Sequence, residues 1–107
     1  MGRVKGIVGV EQVKPDEEDL FSHDWKPKLP VGTSVSSVTA EAREAELLTD
    51  VTSSLIISSL TVDGVTTVEY KGLTDLKDYF LKLTMDRSDG AGPFSDVYLI
   101  RCRKVGF

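Results

Sequence analysis

The chain has 107 residues, 40% of them apolar and 28% charged, with a formal net charge of −4. That is enough for one domain with a self-sufficient core. The acidic balance speaks against non-specific nucleic-acid binding, the single cysteine, Cys102, excludes an internal disulfide, and no apolar run reaches signal-peptide or membrane-spanning length.

Residues 1–18 differ from the rest. Gly2, Gly6 and Gly9 interrupt Val4, Ile7, Val8 and Val10, and KPDEED (Lys14 to Asp19) sets four acids in six residues. Such a segment has little core-forming capacity of its own. It reads as a frayed terminus or as an extended arm that pairs with a partner or a neighbouring subunit. In an extended chain Val8, Val10 and Gln12 share one face while Ile7 and Gly9 share the other. Apolar residues on both faces make Ile7, Val8 and Val10 candidate partner contacts.

From Asp19 onward the pattern is mostly β. Leu20–Trp25 is a short strand with Phe21, His23 and Trp25 on one face. Pro27 and Pro30 end it, since neither donates to a ladder, and Gly32 permits a turn. Thr33–Ala42 is rich in β-branched residues, as suits a half-exposed strand. Glu41–Leu48 (EAREAELL) favours helix by composition, but it is too short to stand alone. It reads as the end of a strand followed by a loop with one helical turn.

Ser54–Val62 is the next strand. Asp63-Gly64 is a hairpin turn, because both central residues of a type I′ turn need positive φ. Val65–Lys71 returns and Gly72 ends it. Asp78–Met85 alternates, with Tyr79, Leu81, Leu83 and Met85 on one face. A polar Gly/Pro loop, Asp86–Phe94, leads to the last strand, Ser95–Val105. There Tyr98, Ile100 and Cys102 oppose Val97, Leu99, Arg101 and Arg103. Short strands at this spacing predict an all-β fold, an immunoglobulin-like antiparallel β-sandwich of about seven strands over residues 19–107. An extended N-terminal arm over residues 1–18 precedes it.

Candidate chemistry is sparse. A nucleophilic site would need Cys102 and His23, and both sit on core-facing positions of strands, where structural roles dominate. One His and one Cys cannot close a zinc shell. The loop Asp86-Arg-Ser-Asp89-Gly90 lacks the spaced acids and terminal Glu of a calcium loop. No glycine loop precedes a helix to cradle phosphate. The acids Glu17, Glu18, Asp19 and Asp24 read as solvated, and Arg101, Arg103 and Lys104 as a solvated strand face. No catalytic, cofactor or metal residue is assigned, and the expectation is a non-enzymatic binding or structural module. Phe21 and Trp25 are expected as core or interface anchors.

The order of features is distinctive. An acidic, Pro-containing lead-in (Lys14 to Asp19) runs into a strand ending at Asp24-Trp25. A Gly-Thr and Ser/Val/Thr-rich strand follows (Gly32 to Ala40). A Thr/Val strand closes at Gly72, and an alternating strand starts at Tyr79. Ser88-Asp89-Gly90 then turns into an aromatic-x-hydrophobic-Arg strand (Tyr98 to Arg103). Over residues 14 to 104 this resembles a family of small tailed-bacteriophage virion proteins, described as fibre–tail adaptors or immunoglobulin-like structural proteins. Three departures are an extra stretch at 1–13, Lys-Pro-Lys after Trp25 and a charged 41–50 segment. The resemblance implies a structural protein present in several copies per particle, assembled in the bacterial cytoplasm. Its partners would be tail, fibre or capsid proteins, with no cofactor, nucleic acid or membrane. An adaptor attaching tail fibres to the tail is the leading reading. A capsid decoration or cement protein and a host-glycan-binding module are the alternatives.

Overall fold

The computed structural model describes residues 7–13 and 19–103, and its described residues are mostly β. In chain order the elements are β1 (Ile7–Val13), β2 (Asp19–Asp24), β3 (Val35–Glu44), α1 (Thr52–Leu55), β4 (Ile56–Val62), β5 (Val65–Tyr70), β6 (Asp78–Arg87) and β7 (Phe94–Cys102). They form a larger sheet in the order β1-β7-β6-β3 and a smaller one in the order β2-β5-β4. Every pairing is antiparallel except β1 with β7, which is parallel.

Alternation builds the core between the sheets. β6 is buried at every second residue, sending Tyr79, Leu81, Leu83 and Met85 inward. Ile100 and Cys102 of β7 and Ala42 of β3 join them, facing Phe21, Val68 and Tyr70 from the smaller sheet. Trp25, with no exposed surface, closes the same cluster just past β2. Full burial of a large side chain contributes about 1.5–3 kcal/mol, so this shared cluster is what holds one sheet against the other.

The turns follow the local chemistry. Asp63 (φ 52°) and Gly64 (φ 79°) both take positive φ between β4 and β5, as a two-residue type I′ hairpin requires. Glu41–Glu44 completes β3, in register with Lys82, Leu81, Phe80 and Tyr79. A ladder against a central strand outweighs helix propensities of a few tenths of a kcal/mol per residue. One helical-type bond follows, from Leu48 N to Glu44 O at 2.8 Å. Near the start of β6 the Tyr79 hydroxyl accepts a hydrogen bond from the Thr74 backbone N–H at 3.0 Å and pins the β5–β6 connection.

Three expectations need correction. Residues 7–13, expected within an arm that orders on a partner, pair with β7 of their own chain, because β7 offers an otherwise open edge. Residues 1–6 and 14–18 of that arm lie outside the described residues. The sheet is mixed rather than purely antiparallel, for the same reason. The strand expected over Ser54–Val62 begins only at Ile56. One helical turn precedes it, set by Asp50, whose carboxylate accepts from Thr52 N at 2.9 Å and Thr52 Oγ1 at 2.7 Å.

Candidate partner interface

The rare residues of the β2 region lie inside the molecule. Trp25 Nε1 donates to Thr66 Oγ1 at 2.9 Å, which satisfies the one polar atom of the indole. His23 shares a 2.5 Å hydrogen bond between its Nδ1 and the Tyr98 hydroxyl. Its Nε2 lies 2.8 Å from Asp96 Oδ2, too obliquely for a well-formed hydrogen bond. Lys28 Nζ stands 3.9 Å from the other Asp96 oxygen. Rings complete the cluster: Trp25 meets His23 edge-on at 4.3 Å, and Phe21 meets Tyr98 at 4.2 Å.

This cluster ties β2 to β7 across the core. His23 and Asp96 are only 9% and 8% exposed, so the arrangement is a latch between sheets rather than an open cleft. Asp96 was missed in the sequence, although a signal existed. It lies two residues before Tyr98 and so shares the inward face of β7. Cys102, fully buried, lies four residues beyond Tyr98, about 13 Å along the strand. The fold therefore does not bring His23 and Cys102 together. Phe21 and Trp25 are also enclosed. Of the two roles expected for them, burial leaves the core one and removes partner contact.

The loop after β6 is tied down by its own donors. Arg87 donates from Nε and Nη2 to the two Asp89 oxygens at 2.8 and 2.9 Å, and Ala91 N adds a third bond at 3.0 Å. The Arg87 guanidinium, with the Ala91 amide second, holds the Asp89 carboxyl below its ordinary value. Phe94 lies under Arg87 and Lys28, with the charges 5.2 and 5.8 Å from the ring centre. Among the described residues no three His, Cys, Asp or Glu side chains gather as a metal shell would require.

The outward faces are where a partner could reach. On the larger sheet the register sets side chains in rows. One row runs Arg43–Phe80–Leu99, with Val10 of β1 standing opposite Leu99. The next runs Glu41–Lys82–Val97, with Ile7 opposite Val97. Phe80, Val97 and Leu99 are half-buried yet lie outside the core cluster, so they make an apolar stripe on the solvent side. The register shift between Ile7 and Gly9 leaves Val8 as the extra residue and breaks the strict alternation expected there. Gly9 lies against the Tyr98 ring, where a Cβ would come within 3.0 Å of two ring carbons.

Of the five expected partner residues, Ile7 and Val10 lie in β1 in register with Val97 and Leu99, and Val8 lies at the irregularity between. The fold adds Phe80, Val97 and Leu99, which an outward-face reading of β6 and β7 identifies. No known family model matches this chain, and no curated protein matches it.

Proposed function

We propose that the protein is a non-enzymatic structural module of a bacteriophage virion, an adaptor attaching tail fibres to the tail, built on an immunoglobulin-like sandwich. The observation that carries the fold part is the partition of strands. β2, β5 and β4 share one sheet while β3, β6 and β7 share the other, as strands B-E-D and C-F-G do in an immunoglobulin domain. The Tyr79–Thr74 hydrogen bond supports it independently, since it has the position and partner of a tyrosine corner. The virion part rests on the acidic Lys14-to-Trp25 lead-in and the order of strands after it. Affinity in such a role comes from sheet faces and edges rather than from a catalytic cleft.

Quantitative mass spectrometry of purified particles from the virus that encodes the chain tests this reading. A stoichiometry of a few to a dozen or so copies, with labelling at the tail, is expected. Hundreds of copies would assign the protein to the shell instead, and absence from particles would overturn the proposal.

A further inference from the structure

We propose that the solvent-facing side of the larger sheet is a homodimer interface. Two copies pack sheet to sheet about a two-fold axis that crosses the strands between the Phe80–Leu99 row and the Lys82–Val97 row. The inference does not depend on the virion role and is tested on the purified protein alone.

The argument is one of self-complementarity. A two-fold axis lying between two facing sheets and perpendicular to their strands lays each strand over its own copy, reversed. The rows then exchange. Arg43 comes over the partner copy's Glu41, and Phe80 over its Lys82. Leu99 comes over the copy's Val97, by the registers of β7, β6 and β3. Every cross-pair is favourable in kind: cation with carboxylate, ring with ammonium, and aliphatic with aliphatic. Beyond these rows, the Asp78–Arg101 pair falls over Thr84 and Ser95, so no like charges meet.

The alternative axis, parallel to the strands, lays β3 over β1. That parts Arg43 from the copy's Glu41, so neither cross-chain ion pair forms. The geometry therefore selects one of the two symmetric packings.

The size fits a weak dimer. The segments that overlap under this axis, residues 40–44 of β3, 78–84 of β6, 94–102 of β7 and 7–10 of β1, at ~4.8 Å spacing and ~3.3 Å rise give a face of roughly 400 Å². Two such faces bury about 800 Å², the scale of a transient, concentration-dependent association. The face is also apolar where it must be. Phe80, Val97 and Leu99 are contiguous and excluded from the core, while the charged Glu41 and Arg43 sit at the β3 margin. The outer side of the smaller sheet also carries apolar residues, Leu60 and Val62 with Val65 across from Val62, but they sit at the hairpin end beside Asp24 and Thr67, and the far row is Leu20–Glu69–Ser58.

Sedimentation velocity over a concentration series reads the dimer directly. Wild-type protein is expected to shift from monomer to dimer mass as concentration rises. Glu41→Arg sets two cations on each β3 margin, and Arg43→Glu sets two carboxylates there. Each variant alone should dimerise at least about tenfold more weakly, because like charges then face each other. An equimolar mixture of the two should recover wild-type affinity as a heterodimer. That recovery cannot arise from the Arg43–Glu41 pair within one chain (2.6 Å), which both variants have lost. Circular dichroism checks that each variant is folded. The proposal is overturned if the wild type stays monomeric throughout, or if the mixture associates no better than its components.

Discussion

The two sheets bury similar inner faces but carry unlike outer ones. On the larger sheet Phe80, Val97 and Leu99 adjoin one another, so a single surface could remove all of them from water together. On the smaller sheet Leu20, 64% exposed, stands alone beside Glu69, while Leu60, 66% exposed, adjoins Val62, which pairs with Val65 at the hairpin end next to Asp24. Exposure of single residues is ordinary; contiguity is the informative property. What distinguishes the larger sheet is the oppositely charged pair, Glu41 and Arg43, at the margin of its apolar residues.

The contrast can be broken at several places. The largest effect is expected from Trp25→Ala, which empties the site where the smaller sheet locks onto the larger. It should destabilise the fold by about 3–5 kcal/mol in urea denaturation, whatever happens on either outer face. Asp96→Ala unlatches the same seam by leaving His23 and Lys28 without their carboxylate. It should cost about 1–3 kcal/mol, and a value near zero would deny the latch any part in joining the sheets.

Paired substitutions sharpen the comparison of outer faces. Leu99→Glu should abolish dimerisation in sedimentation while leaving the monomer folded. Leu60→Glu, on the opposite face, should leave dimerisation intact and change stability by only about 0.5 kcal/mol. Equal effects would show that the two faces do not differ as argued. A smaller change is expected from Gly9→Ala, whose added carbon must displace the Tyr98 ring or lift β1. Faster amide exchange confined to β1 and the neighbouring edge of β7 is the expected readout.

The smallest effect belongs to neither sheet. Asp89 is held below its ordinary value by Arg87 first and the Ala91 amide second, and Asp50 by the Thr52 backbone amide and then its hydroxyl. A carboxyl depressed in the folded chain contributes stability above its unfolded pKa and loses it as pH falls through the folded one. Protection of the Ala91 and Thr52 amides should therefore fade below the usual carboxylate range, while the sheet amides remain protected.

Much of this architecture was legible in the sequence. Period-two alternation located the inward residues of β2 and β6, and Asp63-Gly64 fixed the hairpin, because both signals are local. The parallel pairing of β1 was not legible. It depends on β7, more than eighty positions away, having an open edge, and IVGVEQV would suit a partner's sheet equally well. The latch was half legible: His23 was placed inward, but Asp96, although inside the expected last strand Ser95–Val105, was not read with Tyr98, Ile100 and Cys102 on its inward face. The outer stripe was missed because Val97 and Leu99 were read with Arg101 and Arg103 as a solvated face. Only the register across β6 shows that Phe80 lies opposite Leu99.

The parallel run of β1 beside β7 has a mechanical corollary. β1 enters at the level of Val97 and leaves at the level of Cys102, where β7 also ends. Tension applied to the segment before Ile7 and to the segment after Cys102 pulls the two strands along their length in opposite directions. The rungs of that ladder are then loaded together in shear rather than opened one after another from an end. Resistance to such a load is set by an unfolding rate rather than by equilibrium stability, and it would be lost if the first strand ran the other way.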